Sequence, residues 1–584
     1  MQNTADGVMN NNDVAAALNE IAELLELQGA TTFRVRAYQN AGRTISNLPE
    51  DVRVLSAENR LKDLKGIGGS IADKIQELLD TGTITQLEKL RQEFPPGVRS
   101  IMSVPGVGPS LARRAYRELG VDSLEALREA AEDGRLAELP GFGQKSAENV
   151  LRALTRVNKK ESRISIGTAV PLVEELIAAL RPHEIFHHLM PGGSMRRWSP
   201  TIGDIDLLAT SDKPERAMEI FATLPQVRDI LGEGTTKTSV ITDNGLQVDL
   251  RIVPDDAFGS LLQHFTGSKQ HNIELRDYAL ARGLSLNEYG ITDVKSGTVT
   301  RYADEESFYA ALGLQWIPPE LREGHGELAA ARAGALPVLV TVGDVRGDLH
   351  AHTDWSDGTV TIEEMVLAAR ERGYEYVAIT DHSGGIGVAH GLSAERLEEQ
   401  IGVIRRLDRE IEGITILTGT EVDIRRDGTL DFSDEILEQL DWVIASVHSG
   451  FNQPEDQMTA RIVRAIENPH VDAIAHPTGR LIGRREPYAV DLEAVYRAAA
   501  RTGTALEINS FPERLDLTDT QAQRALELGV ILVVDTDAHA PVHFDNIRYG
   551  IEVARRAWAE AANVLNTRPL AELPRATTRG VPSP

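Results

Sequence analysis

The 584-residue sequence contains no cysteine. That absence excludes disulfides, zinc ribbons, thiol nucleophiles and iron–sulfur ligation together, and it fits a reducing compartment. The opening stretch MQNTADGVMNNNDVAAAL has neither the basic start nor the apolar core of a signal peptide. No window reaches the ~18 continuous apolar residues of a membrane span. A cytoplasmic protein with no membrane partner is expected. Positive charge is also short: 61 Lys+Arg stand against 88 Asp+Glu, a net −27. A bulk electrostatic preference for nucleic acid is therefore not expected. Lysine is missing altogether from residues 343–584.

What is present is an ordinary globular balance, 41% hydrophobic and 26% charged. The length calls for about three or four domains. Charge is unevenly spread. Residues 1–160 hold 21 Lys+Arg against 22 Asp+Glu, residues 161–342 hold 16 against 25, and residues 343–584 hold 24 against 41. The last segment also holds nine of the 15 histidines. A segment rich in Asp, Glu and His but free of Lys reads as a cation binder. A merely solubilising acidic surface would account for the carboxylates but not for the histidines.

Residues 1 to about 160 read as helices only, with apolar positions at helical spacing through Val14, Leu18, Ile21, Leu24 and Leu25. A short device occurs three times there. Leu64-Lys-Gly-Ile-Gly-Gly-Ser-Ile, Val104-Pro-Gly-Val-Gly-Pro-Ser-Leu and Leu139-Pro-Gly-Phe-Gly-Gln-Lys-Ser each set Gly-x-Gly before an amphipathic helix. Such a turn leaves backbone N–H groups free and lets a DNA phosphate approach without reading any base. The glycines involved are Gly66, Gly68, Gly106, Gly108, Gly141 and Gly143. Locally neutral modules of this kind allow an acidic protein to bind DNA; tight helix connections are the plainer alternative. The Gly-Gln-Lys-Ser run lacks the glycine that a phosphate-binding loop needs before its lysine.

From about 161 to 317 strands and helices mix. Asp204 and Asp206 stand at i and i+2 of an alternating run and so share one face of a strand. With Asp249 from a second strand they form a candidate two-metal site for Mg²⁺ or Mn²⁺, which would bind a triphosphate and activate a hydroxyl. Upstream lies the Gly192-Gly193-Ser194-Met195-Arg196-Arg197 turn, whose Arg197 suits phosphates. Periodicity breaks after Trp316-Ile-Pro-Pro-Glu-Leu-Arg, and a linker is expected over 318–342. Beyond 343, seven β-rich runs alternate with helical runs, which predicts a parallel, barrel-like domain. Most runs end on His, Asp or Glu, at the end where barrels build active sites. The candidate ligands are His350, His352, Asp357, His382, Glu421, His448, His476, Asp537 and His539. Nine nitrogen and oxygen donors without sulfur suit Mn²⁺, Zn²⁺ or Fe²⁺ in a cluster of two or three ions. Such grouped ions polarise a phosphodiester for hydrolysis. His390, His470 and His543 fit no ligand position and read as structural, and residues beyond about 565 read as a loose tail.

These motifs resemble those of a family X DNA polymerase over residues 1 to about 317. The Gly193-Ser194-x-Arg-Arg and Gly-Asp-Ile-Asp runs are similar to its palm motifs, and His264-Phe265-Thr266-Gly267-Ser268 with Asn272 to its nucleotide-contacting run. The resemblance implies that Gly193, Ser194 and Arg197 bind the triphosphate while Phe265, Gly267 and Asn272 contact the sugar and base. His264 stands where vertebrate members have Tyr. Lys74 aligns with the Schiff-base lysine of the family's lyase domain, although Ser70 occupies an auxiliary lysine position. Residues from about 343 to 565 resemble the polymerase-and-histidinol-phosphatase (PHP) domain, a distorted seven-stranded barrel, with all nine ligand positions filled. That resemblance implies a Mn²⁺-dependent 3′–5′ exonuclease, in some members with abasic-site or 3′-end-cleaning activity.

The expected organisation is multidomain. An all-α helix–hairpin–helix region comprises a lyase-like domain over 1–82 and a fingers-like domain over 83–160. An α+β nucleotidyltransferase palm over 161–255 and a thumb over 256–317 follow, then the linker, a (βα)7 PHP barrel over 343–565 and a flexible tail over 566–584. The expected function is repair of gapped or nicked duplex DNA with deoxynucleoside triphosphates, by a monomer. A phosphoesterase of small monoesters and a catalytically silent DNA-binding scaffold are the alternatives.

Overall fold

The computed structural model describes residues 9, 11–46, 48, 51–102, 104, 107–139, 142–144, 147, 150–151, 163–385 and 390–574, with only the backbone of residue 12. Gly106 and Gly141 therefore lie outside the described residues. The chain divides into two compact units, 1–162 and 163–584.

Within the first unit the described residues form helices and no strand. Asn11–Gln28 packs along Thr32–Ser46, burying Leu18, Ile21 and Leu25 with Val35, Tyr38 and Ile45. Gly66 adopts φ +88°, a conformation that side chains disfavour, so that the chain turns into the helix Gly69–Thr81. Gly108 likewise precedes Pro109–Leu119, whose proline begins the helix where its missing N–H is harmless.

The second unit opens with a five-stranded sheet. Its strands are β1 (His188–Pro191), β2 (Asp204–Thr210), β3 (Val227–Glu233), β4 (Lys237–Thr242) and β5 (Gln247–Val253), in the order β1-β2-β5-β4-β3. Only β2 and β5 run parallel, in a register that sets Asp206 beside Asp249. The helix Ile166–Leu180 buries Ile166, Val173 and Leu176 in a core shared with the sheet. Helices Phe258–Thr266 and Lys269–Leu280 and a three-stranded antiparallel sheet follow.

Seven parallel strands then form the barrel in sequence order: β6 (Gly347–Ala351), β7 (Tyr376–Ile379), β8 (Thr415–Asp423), β9 (Trp442–Ser446), β10 (Ala473–Ile474), β11 (Ala505–Asn509) and β12 (Leu532–Asp535). A single parallel bridge, Ala351 with Ala538, joins the last strand's end to the first. Leu349, Tyr376, Leu417, Trp442, Ile444 and Val533 form one apolar cluster, which also takes in Leu565 and Leu573. The expectation of a loose tail from 566 thus fails for residues 566–574. Asn566 is fully buried and stitches the seam between β6 and β12: its amide donates to the Gly347 (2.9 Å) and Val534 (2.7 Å) carbonyls and accepts from Val534 N–H at 3.1 Å. One polar side chain here replaces ladder bonds that the incompletely closed barrel lacks. Residues 575–584 lie outside the described residues.

Within the stretch 318–342, residues 319–322, Glu327 and Ala331 are buried. Arg322 is fully buried, donating to the Ile317 carbonyl and to both oxygens of Glu305. Glu327 is buried against His271 at 2.6 Å, and Glu320 pairs with Arg555 at 3.0 Å. Pro, Gly and Ala erased the periodicity, and the polar partners that pin the segment are distant in sequence.

Asn566→Ala should lower the stability of the 163–584 unit by about 2–4 kcal/mol, because it leaves buried backbone groups unpaired. All five tryptophans lie at residue 198 or beyond. Urea unfolding followed by tryptophan fluorescence therefore reads this unit, and an unshifted midpoint would contradict the seam.

Candidate functional site

In the five-stranded sheet the β2–β5 register pairs Asp206 with Asp249, and Asp204 stands two residues before Asp206 on the same face of β2, opposite Gln247. The Asp206 carboxyl is pushed up to about 6, first by burial and then by Asp204 and Asp249, with Arg251 opposing. Asp249 faces Lys237 Nζ at 2.6 Å and accepts from Gln247 at 2.9 Å. Burial opposes its ionisation, but hydrogen bonds from Lys237, Ser239 and Gln247 hold its carboxyl below the ordinary range. Lys237 thus serves as a built-in counter-ion, and nothing in the sequence pointed to it: the pairing comes from the neighbouring strand β4. Arg251 lies 3.7 Å from Asp206 and stacks over the Phe265 ring at 4.3 Å.

Gly193 turns at φ +56°, and a Cβ on it would lie 3.2 Å from Asp206 Oδ2. The glycine lets the Ser194 turn reach the carboxylates. Arg197 does not point to open space. Its guanidinium donates to Glu323 (2.9 Å) and the Thr266 carbonyl (2.8 Å), while its own carbonyl accepts from Arg556 at 2.8 Å. In this arrangement Arg197, expected from its motif to bind phosphate, is held by Glu323 from the 318–342 stretch. Arg196 is held too, by Glu305 at 2.8 and 3.0 Å. Asn272 is likewise engaged, bridging the His264 and Gly267 carbonyls at 3.0 and 3.1 Å, and a Cβ on Gly267 would meet its amide oxygen at 2.8 Å.

In the helical unit Gly68, Gly108 and Gly143 all face open space, since a Cβ on any of them meets nothing within 4 Å. That geometry permits the close backbone approach argued from sequence. Lys74 Nζ donates to the Ser70 carbonyl at 3.0 Å and lies 3.1 Å from its hydroxyl.

At the barrel mouth the nine donors from six strand ends and one loop converge. A register shift between Asp348 and Ala351 re-aims the end of β6, and both His350 and His352 are fully buried. Three sets of donor atoms each close to within 4.8 Å: His352, Asp357, His382 and His539; His350, His352 and Asp537; and His382, Glu421 and His448. His476 lies outside these sets, with Nε2 3.1 Å from Glu421. His350 Nε2, both nitrogens of His352, His382 Nδ1 and Glu421 Oε2 are buried without a well-aligned hydrogen bond, although His382 Nδ1 lies 2.8 Å from Glu421 Oε2. Buried polar atoms left in that state are costly unless something binds them. Shared divalent cations are what these donors fit.

The electrostatics agree. Burial disfavours charge on His350 and His382, yet the carboxylates outweigh it: Asp537, Glu507 and Glu421 raise His350 well above its usual value, and Glu421 and Asp357 push His382 up to about 10. His352 is pulled down to about 3 by burial and by His539 and His382. His476 falls to about 3 through burial and Arg514. Sequence reading missed Asp381, which accepts from Thr353 N–H and Oγ1, Ser356 and Gln400 at 2.5–2.8 Å and holds the loop between His352 and Asp357. It also missed Arg514, 3.8 Å from Asp537. Among the unassigned histidines, His390 is exposed, His470 is half-buried, and His543 accepts from the His539 N–H at 3.2 Å.

Comparison with known proteins adds four domain matches: a helix-hairpin-helix domain over 9–84, a SAM-like helix-hairpin-helix tandem over 98–156, the DNA polymerase beta thumb over 261–323 and the PHP domain over 348–510. A Bacillus subtilis (strain 168) protein named DNA polymerase/3'-5' exonuclease PolX is 41% identical over 567 residues, 97% of this chain and 99% of that one. A probable phosphatase of Thermoanaerobacter sp. (strain X514) is 34% identical over 232 residues, 38% of this chain and 89% of its own. A probable phosphatase of Shewanella oneidensis is 30% identical over 243 residues, 40% and 92% respectively.

Two pH effects are expected. Protonation of Asp206 as pH falls through about 6 competes with a divalent cation. The Mg²⁺ concentration that half-saturates the palm site should therefore rise steeply between about pH 7.5 and about pH 5.5, and a flat titration would contradict the shift. At the barrel, the raised histidines must lose protons before they ligate. Mn²⁺ loading near neutral pH should release protons, seen as a calorimetric heat that depends on the buffer's ionisation enthalpy.

Proposed function

The chain belongs to the family X DNA polymerases that carry a PHP domain, and on that premise we propose that it repairs short gaps or nicks in duplex DNA, as a monomer, with two separate active sites. It is a DNA polymerase with a 3′–5′ exonuclease, and its substrates are DNA and nucleotides. In the proposed division of labour Asp204, Asp206 and Asp249 hold Mg²⁺ or Mn²⁺ for nucleotidyl transfer, while the nine barrel donors hold two or three Mn²⁺, Zn²⁺ or Fe²⁺ ions for hydrolysis. When bound, such ions neutralise phosphate charge and activate the attacking hydroxyl or water.

The chain's own residues then have distinct tasks. The Gly193–Ser194 turn brings backbone close to the carboxylates and receives the triphosphate. Arg197 joins it by exchanging its contact with Glu323 for a phosphate oxygen, a change from one charge-assisted hydrogen bond to another. Phe265, Gly267 and Asn272 shape the sugar and base side, Asn272 chiefly by fixing the turn that Gly267 makes. Gly66, Gly68, Gly106, Gly108, Gly141 and Gly143 hold the DNA backbone without reading sequence. Lys74 is the residue for lyase chemistry, and abasic-site or 3′-end cleavage would use the barrel. The observation that carries the proposal is the set of buried imidazole and carboxylate atoms without hydrogen bonds at the barrel mouth, in the same chain as Asp206 and Asp249 paired across two strands with Asp204 beside them.

The test is a gel assay on a 5′-labelled primer in a short-gapped duplex with Mn²⁺, with and without deoxynucleotides. Extension in one lane and shortening in the other is expected. Asp204→Ala should reduce extension by more than about 100-fold with shortening intact, and His350→Ala or Asp537→Ala should do the reverse. Even supporting groups behind a metal ligand are typically worth about 10–100-fold. Loss of both products in either variant would refute separate sites. A small phosphate monoester is assayed alongside, because two shorter relatives are named probable phosphatases. Its hydrolysis without DNA shortening would replace the exonuclease reading of the barrel.

A further inference from the structure

Six of the seven barrel strands end on one or more of the nine donors; β11 ends on none. Its five residues are nonetheless fully enclosed. Leu506 and Ile508 join the apolar core on one side, and alternation turns Glu507 and Asn509 to the other, toward the barrel interior. Glu507 has no solvent exposure at all. A carboxylate in that position requires partners, and each of its oxygens has one. Oε1 lies 2.7 Å from His350 Nδ1, while Oε2 accepts from the His476 backbone N–H at 2.5 Å and from the Asn509 amide at 3.3 Å.

The two histidines touched by Glu507 are both among the nine donors, and each would be poorly defined without it. An imidazole can ligate through Nε2 only if the hydrogen sits on Nδ1, and which nitrogen carries it is set by the hydrogen bond the other makes. Glu507 offers an acceptor to Nδ1, leaving His350 Nε2 to face Glu421 Oε2 at 3.5 Å and Asp537 Oδ1 at 3.6 Å without a hydrogen bond. His476 sits at φ +28°, a backbone conformation rare outside glycine. Its N–H bond to Glu507 fixes that turn, so that Nε2 reaches Glu421.

We infer that Glu507 is a positioning residue of the hydrolytic centre, holding the metal-ready tautomer of His350 and the backbone turn of His476 through its two oxygens. The inference rests on the proposed metal-binding role of the barrel mouth. A glutamine at this position keeps the size but has one acceptor oxygen where the carboxylate has two, so the contact to His350 Nδ1 or the contact to the His476 N–H is lost.

The experiment compares wild type and Glu507→Gln as full-length protein. Mn²⁺ affinity is measured by calorimetry, bound metal by elemental analysis, and thermal unfolding with and without Mn²⁺. Template-directed extension by the palm serves as the folding control. Mn²⁺ affinity is expected to fall about 10–100-fold, with less metal retained, a smaller Mn²⁺-induced rise in Tm and normal extension. A merely structural role would lower the metal-free Tm but leave the Mn²⁺-induced rise unchanged, and that result would overturn the inference. If Glu507→Gln does not fold, Glu507→Asp, which retains the charge but withdraws it by one methylene, is read by the same criteria. Equal Mn²⁺ affinity in variant and wild type would overturn the positioning role alone. A wild type that binds no Mn²⁺ would overturn the metal reading beneath it.

Discussion

Nine imidazoles and carboxylates crowd one barrel mouth, most of them almost without solvent contact, and their mutual electrostatics constrain everything around them. Isolated ions in such a place would each cost several kcal/mol. Here the two kinds of donor compensate one another: Glu421 alone lies within 3.6 Å of five histidines. Protons on the histidines and divalent cations are interchangeable in that balance. This explains why some imidazoles are pushed up and others down within a few ångströms. For His350 and His382 the carboxylates outweigh burial. For His352 burial, with His539 and His382 at ring-centroid distances of 4.3 and 4.4 Å, outweighs its carboxylate neighbours, and for His476 burial and Arg514 do so.

A second consequence lies behind the donors. The site needs its ligands held in place by groups that do not themselves ligate, and the barrel supplies these from positions where the sheet is irregular. Asp381 gathers the loop after β6, the register shift near Asp348 turns two histidines into one space, and Asn566 closes the seam behind them. Polar closure of this kind is stable only when every group is satisfied. Residues 566–574 take part in that closure through Asn566 and through Leu573 in the apolar cluster.

The palm is tied to the barrel by charge as well as by apolar packing. Glu323 accepts from both Arg197 and Arg556, and Arg556 also pairs with Asp519 at 2.5 Å. Arg556 and Asp519 belong to the barrel segment, Arg197 to the palm, and Glu323 to the connecting stretch. Gly167 adds contact, since a Cβ there would lie 2.3 Å from Pro512. The connecting stretch is thus a structural element in its own right. Ion pairs hold it together with Leu321, Ala331 and Leu339, which join the apolar cluster around Phe308 and Tyr309.

This contrast explains what was legible in the sequence. The barrel donors could be read because ligands recur at strand ends and at i, i+2 spacing, which survives in one dimension. The palm carboxylates were legible for the same reason, and the β2–β5 register then determines which residues are neighbours. Arg197 was read from its motif, but its partner lies 126 residues away and no local pattern announces it. Glu507 stood in plain view within Leu506-Glu-Ile-Asn, yet its contact with His350 spans 157 residues. It lies mid-strand, where an apolar residue would be expected. A charged residue inside an otherwise apolar buried strand carries its own argument, because the fold tolerates it only with partners at hand. In a barrel whose mouth gathers imidazoles, the partners available to such a carboxylate are the candidate ligands themselves.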